Sequence, residues 1–209
     1  KPDIINKYPN ITCYTVLYDA IPLIFYKYFT NCEWFKILAN SLNYNDFYFS
    51  ISESTKKDFL KYFPQLNKNK IDTTLLATNQ LYKPNKEAKK LKNVFNKYNI
   101  PENKKYLFSL CSLEPRKNLI RTVKCFIKFI EKNKINDLVY VLGGGAWNGF
   151  IDLMKKEIPK LDNYKDKIIR AGYVADEDLE ILYSNAEWFV YTSEYEGFGM
   201  PPLEAMSCE

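Results

Sequence analysis

Residues 138–159 are LVYVLGGGAWNGFIDLMKKEIP, and this stretch decides the fold class. Its five leading apolar residues predict a buried strand at 138–142, and the three glycines at 143–145 predict a tight turn. The apolar spacing that follows predicts a helix over about 150–159. A strand followed by a turn and a helix is the repeating unit of a parallel α/β sheet.

The same succession of strand and helix recurs on both sides of this stretch. Further strands are predicted at 11–18, 46–51, 72–77, 106–111, 167–171 and 188–191. Further helices are predicted at about 32–42, 52–63, 86–98, 119–132 and 177–184, and a last one is predicted to begin near Pro201. This alternation predicts a doubly wound α/β fold, in which ligands bind beyond the carboxyl ends of the strands.

The apolar pattern lapses at residues 82–85, where the sequence is YKPN. We interpret this stretch as a linker and expect two domains, 1–82 and 83–209. Two complete domains of this kind need about 150 residues each. Because the chain has 209 residues, we expect both domains to be partial.

The composition excludes several kinds of site. The chain contains no histidine, which excludes a Ser-His-Asp relay, histidine-ligated zinc and a switch based on an imidazole. Its five cysteines are far apart and form no Cys-x-x-Cys pair, so neither a disulfide framework nor a zinc site is expected. Without an apolar run of 18 residues or a leader-like N-terminus, the sequence favours the cytoplasm.

The charges are distributed unevenly along the chain. Residues 174–209 contain nine acidic side chains and no Lys or Arg, whereas residues 86–105 contain seven lysines and two glutamates. The lysines fit a solvated helix face, and the alternative is attraction to anionic lipid or polyphosphate. No RNA-binding aromatic signature or finger motif accompanies them, so nucleic acid is not an expected partner.

Two predicted loops carry the residue types of a phosphate and sugar site. Arg116 and Lys117 follow the strand at 106–111, where cations at the start of a helix favour phosphate; an ordinary surface loop is the alternative. Glu196 and Glu204 flank a glycine-rich turn after the strand at 188–191. Carboxylates there suit the vicinal hydroxyls of a sugar or ribose, although solvated surface charges remain the alternative.

Five ordered stretches carry a family resemblance. They are YDAIPL at 18–23, SISESTKKD at 50–58, SLEPRKN at 112–118, GYV at 172–174 and YTSEYEGFGMPPLEAM at 191–206, with Leu179, Leu182, Tyr183 and Ala186 before the last. Together they closely resemble the retaining GT-B glycosyltransferases of family 4, and among these the bacterial mannosyltransferases of polysaccharide and O-antigen synthesis. The resemblance implies a GT-B fold of two Rossmann-like domains, and the chain looks like a central fragment of such a protein.

At the matching positions the resemblance implies particular roles. Glu196 would contact the transferred sugar, while Lys117, aided by Arg116, would neutralise the departing diphosphate. The donor-binding positions would be Glu204, which contacts the ribose, together with Gly197, Phe198, Gly199 and Met200. Residues 83–209 would thus form the donor side, and residues 1–82, with Tyr18 and Asp19, the acceptor side. No metal is required in this interpretation.

The implied reaction moves a hexose from a nucleotide diphosphate sugar to a saccharide or lipid-linked acceptor. GDP-mannose is the donor that the subgroup suggests, and a UDP-sugar is the other candidate. The protein would act in the cytoplasm, at the inner face of the membrane if the lysines bind anionic lipid. Many family members have histidine where this chain has Tyr18, which leaves a second hypothesis, a nucleotide-diphosphate-binding module without catalysis.

Overall fold

A computed structural model describes residues 7–8, 10–28, 33–145 and 149–209. The chain divides into two compact units. Unit 1 comprises the residues up to Leu76 together with Tyr195–Gly199, and unit 2 comprises Ala77–Glu194 and Met200–Glu209. Among the helices of the described ranges, none combines the length and the apolar character needed to cross a bilayer.

Unit 1 contains a small parallel sheet with helices between its strands. The elements are β1 (Tyr14–Leu17), α1 (Ile21–Ile24), α2 (Glu33–Asn40), β2 (Phe47–Ser50), α3 (Glu53–Tyr62) and β3 (Ile71–Thr73), with 3-10 turns at Tyr26–Tyr28 and Lys68–Lys70. The strand order is β1-β2-β3, and all pairs are parallel. Leu17, Tyr48 and Ile71, one from each strand, are buried in a common core with Phe59 of α3.

Unit 2 contains a larger parallel sheet. The elements are α4 (Ala88–Lys97), β4 (Lys105–Leu110), α5 (Leu119–Asn133), β5 (Leu138–Gly143), α6 (Phe150–Glu157), β6 (Ile168–Gly172), α7 (Asp176–Ser184), β7 (Trp188–Phe189) and α8 (Met200–Cys208), with 3-10 turns at Pro115–Lys117 and Leu161–Tyr164. The strand order is β6-β5-β4-β7, and every pair is parallel.

Strand β5 lies at the centre of unit 2, and all six of its residues are buried. Val139 and Val141 face a core shared with α4, α7 and α8, while Tyr140 and Leu142 face a second core shared with α5 and α6. Helices therefore cover both faces of the sheet. This arrangement confirms the predicted doubly wound α/β fold, and an apolar run without polar alternation is what a strand buried on both faces requires.

The glycine turn after β5 is as tight as its sequence predicts. Gly144 has a φ of +119°, and a Cβ placed on it would lie 1.9 Å from the carbonyl oxygen of Cys111. Only glycine fits so close to the neighbouring backbone. Trp147, which follows the turn, lies outside the described residues.

The boundaries of several elements differ from the predicted ones. The strand predicted at 188–191 is the two-residue β7, and the strand predicted at 72–77 is β3, Ile71–Thr73. Helix α2 begins at Glu33, and the predicted starting residue Cys32 lies outside the described residues. The short helix α1 was not predicted; it begins where the Asp19 carboxylate accepts a hydrogen bond from the Ile21 N–H, at 2.9 Å.

Candidate functional site

Two loops at the carboxyl edge of the unit 2 sheet are hydrogen-bonded to each other. The Glu194 N–H donates to the Arg116 carbonyl oxygen at 3.0 Å, and the Thr192 hydroxyl donates to the Lys117 carbonyl oxygen at 3.2 Å. The Thr192 hydroxyl also lies 2.7 Å from the Thr122 hydroxyl of α5. Because β4 and β7 are parallel neighbours, their following loops meet at one edge. The loop of Lys117 is thus fixed against the segment that follows β7.

The two adjacent cations of this loop have different surroundings. Arg116 is buried, with 7% of its surface exposed, and its guanidinium pairs with the buried Glu114 carboxylate at 2.7 Å. The Ser112 hydroxyl donates to the same Glu114 oxygen. Lys117 is only half-buried, and its ammonium lies 5.8 Å from the centre of the Tyr191 ring. Lys117 is therefore the better placed of the two to reach a phosphate.

Glu204 lies at the middle of α8 and is half-buried. Its Oε2 accepts a hydrogen bond of 2.9 Å from the hydroxyl of Tyr183 in α7. Burial raises the pKa of the Glu204 carboxyl and the charge of Asp176 raises it further, whereas the hydrogen bond from Tyr183 lowers it. Sequence reasoning assigned no role to Tyr183, although this residue is among those that carry the family resemblance.

The glycine-rich segment Tyr195–Gly199 packs within unit 1. A Cβ placed on Gly197 would lie 2.5 Å from the carbonyl oxygen of Tyr18 and 3.0 Å from the Cβ of Asp19. The Gly197 carbonyl oxygen accepts from the hydroxyls of Ser52 and Thr55. The backbone next to Glu196 is therefore held beside Tyr18 and Asp19.

Tyr195 anchors the same segment by its side chain. Its hydroxyl donates to the carboxylate of Asp58 in α3, and its ring lies 6.1 Å from that of Phe25. Burial raises the pKa of Tyr195, and its hydrogen bond to Asp58 raises it further, so the phenol keeps its proton as a donor. Sequence reasoning gave Tyr195 no role, because its partner Asp58 is remote in the chain.

The predicted site residues are distributed over the two units. Those in unit 1 are Tyr18, Asp19, Glu196, Gly197, Phe198 and Gly199, and those in unit 2 are Arg116, Lys117, Met200 and Glu204. Within unit 1 the structure brings Gly197 to Tyr18 and Asp19. Within unit 2 it joins the loop of Lys117 to the segment after β7. The roles of these residues, and the assignment of acceptor and donor sides to residues 1–82 and 83–209, stay predictions.

Comparison with known proteins relates this chain to glycosyltransferases. The family model described as "Glycosyl transferases group 1" matches residues 90–209. The O-antigen chain mannosyltransferase B of Escherichia coli is 32% identical over 173 residues, which are 83% of this chain and 44% of that protein. The serotype-specific mannosyltransferase WbdA of Escherichia coli is 25% identical over 200 residues, which are 92% of this chain and 24% of that protein.

Solved structures show the same fold. The structure of Anabaena Alr3699/HepE in complex with UDP and glucose matches with a TM-score of 0.75 and 16% identity, covering 98% of this chain and 53% of that one. This likeness confirms the predicted GT-B fold, and the chain spans about half of the matched structure and less than half of both curated relatives. Since the family model covers more than half of its residues, the chain belongs to the glycosyl transferases group 1 family.

Proposed function

We propose that this protein transfers a hexose from a nucleotide diphosphate sugar to a saccharide or lipid-linked acceptor, and that mannose is the best candidate for this hexose. The transfer retains the configuration of the sugar and serves the synthesis of cell-surface polysaccharide. The names of the relatives support this proposal, because those from Escherichia coli are an O-antigen chain mannosyltransferase and a serotype-specific mannosyltransferase.

One observation carries the proposal, the joining of the Lys117 loop to the segment after β7. The Lys117 carbonyl oxygen accepts a hydrogen bond from the Thr192 hydroxyl, and the Lys117 ammonium lies near the Tyr191 ring. A fixed cation at the carboxyl edge of a parallel sheet suits a diphosphate that gains negative charge as it leaves. The charge of Arg116 is already compensated by Glu114, so in this proposal Lys117 neutralises the diphosphate and Arg116 holds the loop in shape.

The other predicted residues complete the proposed mechanism. Glu196 accepts hydrogen bonds from hydroxyls of the transferred sugar, and Glu204 accepts them from the ribose. The backbone amides of Phe198 and Gly199 hold sugar and phosphate oxygens, with Met200 at the start of α8. On the acceptor side Asp19, next to the exposed Tyr18, orients the attacking hydroxyl.

The base and the sugar of the donor are open to direct measurement. The relatives are named for mannose, which favours GDP-mannose. The Anabaena structure is described as a complex with UDP and glucose, so a UDP-sugar is tested as a donor beside GDP-mannose. We expect loss of donor when the protein is incubated with GDP-mannose and saccharide acceptors, and a smaller loss with UDP-glucose. Failure to consume any donor would contradict the proposed transfer.

Single substitutions test the proposed roles. Lys117→Ala and Glu196→Ala should each lower kcat/KM by about 10²-fold, because each removes an electrostatic contact to the reacting groups. Lys128→Ala is the matched control, since Lys128 lies exposed on α5, and it should leave kcat/KM unchanged. Equal activity of Lys117→Ala and Lys128→Ala would contradict the role of Lys117.

The alternative function, nucleotide binding without catalysis, gives a different result in the same set of measurements. Calorimetric titration with GDP and UDP would then show binding, while no donor would be consumed. The substitution of the family histidine by Tyr18 is the feature that favours this alternative. Turnover above the rate of spontaneous donor hydrolysis would exclude it.

A further inference from the structure

We propose that Tyr183 is a positioning residue for nucleotide binding, whose hydroxyl holds the Glu204 carboxylate in the orientation that accepts the two ribose hydroxyls. The inference rests on the proposed function, in which Glu204 contacts the ribose. It adds a residue that does not itself touch the nucleotide. The contact that carries it is the 2.9 Å hydrogen bond from the Tyr183 hydroxyl to Glu204 Oε2.

The ring of Tyr183 is held rigidly in the core of unit 2. Only 4% of the residue is exposed. Its ring centre lies 5.2 Å from that of Phe189, 5.4 Å from that of Phe108 and 6.0 Å from that of Tyr82, each in an edge-on arrangement. Three rings packed edge to face leave the Tyr183 ring little freedom. Its hydroxyl is therefore a fixed point from which the longer Glu204 side chain can be oriented.

The protonation of Tyr183 fits a hydrogen-bond donor. Burial raises the pKa of Tyr183 far above its ordinary value, and the charge of Glu204 raises it further, so the phenol keeps its proton. Burial also raises the pKa of Tyr82, to about 12, with a further contribution from Glu204. A carboxylate has about four acceptor positions, so one bond from Tyr183 leaves enough for two vicinal hydroxyls.

The flexibility of the Glu204 side chain explains why a second residue is needed to orient its carboxylate. Its carboxylate follows three rotatable side-chain bonds, and a flexible side chain loses conformational entropy when a ligand fixes it. A hydrogen bond made before the nucleotide arrives removes part of that loss, which is preorganisation. Because the bond from Tyr183 reaches only Oε2, it orients the carboxylate without covering it.

Nucleotide selectivity tests the inference directly. Calorimetry would compare UDP and GDP with their 2′,3′-dideoxy analogues on the wild-type protein and on Tyr183→Phe, which keeps the ring and removes the hydroxyl. We expect Tyr183→Phe to weaken binding of the ribose nucleotides by about five- to tenfold, which matches the net contribution of one ordinary hydrogen bond. Binding of the dideoxy analogues should not change.

Tyr106→Phe is the matched control. Tyr106 is another buried phenol of unit 2, and its hydroxyl donates to the Leu182 carbonyl oxygen at 2.8 Å. Removal of that hydroxyl should lower stability but leave the preference for ribose intact. In a Glu204→Ala background, moreover, Tyr183→Phe should cause no further loss of affinity.

The outcomes separate this inference from the proposed function. If the wild-type protein binds none of the nucleotides, the proposed function fails and the inference fails with it. If the wild-type protein prefers ribose and Tyr183→Phe keeps the full preference, the inference alone is overturned. Should Tyr183→Phe not fold, Tyr183→Met, which also lacks a hydroxyl and adapts its shape to a core, is measured with the same two criteria.

Discussion

Gly197 lies so close to the neighbouring backbone that its lack of a side chain is a structural requirement. A Cβ there would lie 2.5 Å from the Tyr18 carbonyl oxygen, and the backbone would have to move. We expect Gly197→Ala to lower the free energy of unfolding by about 1–3 kcal/mol, the usual cost of overpacking. Urea denaturation would measure it.

The control for this substitution is Gly145→Ala. A Cβ on Gly145 would meet no atom of the described residues within 4 Å, so its effect should stay within about 0.5 kcal/mol, as for most surface changes. If both variants unfolded at the same urea concentration, the close approach of Gly197 to Tyr18 would be refuted.

At the residue scale, the sequence names candidate site residues but does not show their surroundings. Arg116 and Lys117 have the same charge and are adjacent, so sequence reasoning assigned both to the phosphate. The structure buries Arg116 against Glu114 and leaves Lys117 half-buried. That difference depends on which side of the 3-10 turn faces the core, and no local pattern in SLEPRKN encodes it.

Helix α3 is capped at its N-terminus by Ser52, the residue before its first turn. The Ser52 hydroxyl accepts a hydrogen bond of 3.0 Å from the Thr55 N–H, which is the capping contact, and it also donates to the Gly197 carbonyl. We expect Ser52→Ala to lower the free energy of unfolding by about 1–2 kcal/mol, since both contacts are lost.

Ser54→Ala is the control in the same helix. Ser54 is exposed and follows the cap by two residues, and alanine is the better helix former. Thermal unfolding followed by circular dichroism should show Ser54→Ala at least as stable as the wild-type protein. Equal melting temperatures of Ser52→Ala and the wild-type protein would rule out the cap as a stabilising contact.

At the element scale, the elements whose apolar residues recur regularly were predicted closely. The bounds of elements that depend on packing against neighbouring elements were not. Helix α5 and strand β5 follow the sequence pattern closely because their apolar residues define complete buried faces. Strand β7 has only two residues, since its ladder with β4 ends at Phe108 and Phe189. Sequence analysis also did not predict that residues 191–206 divide between the two units, because this division depends on the packing of Tyr195 and Gly197.

The charges of the whole molecule permit a test of membrane contact. The formal net charge is +5, and α4 carries four of the seven lysines of the stretch 86–105, with its apolar residues Val94 and Phe95 turned to the core. Several lysines of that stretch already have acidic partners: Lys90 with Glu87, Lys92 with Glu102, Lys97 with Asp178 and Lys105 with Glu187. Contact with an anionic membrane therefore stays a prediction, and binding through α4 would rest on charge, since Val94 and Phe95 are buried.

We expect the protein to sediment with vesicles that contain anionic lipid at low ionic strength and to be released at about 1 M salt, where the screening length falls to about 3 Å. Each lysine near the surface contributes about 1 kcal/mol, so Lys86→Glu with Lys89→Glu, both exposed in the lysine-rich stretch 86–105, should reduce the bound fraction strongly. Lys128→Glu, at a distant position in the sequence on α5, is the control for a general change of net charge. Binding that persists in about 1 M salt would exclude an electrostatic attraction to the membrane. If Lys128→Glu reduced binding as much per charge removed as the other two substitutions do, the lysine-rich stretch would be excluded as the membrane-binding surface.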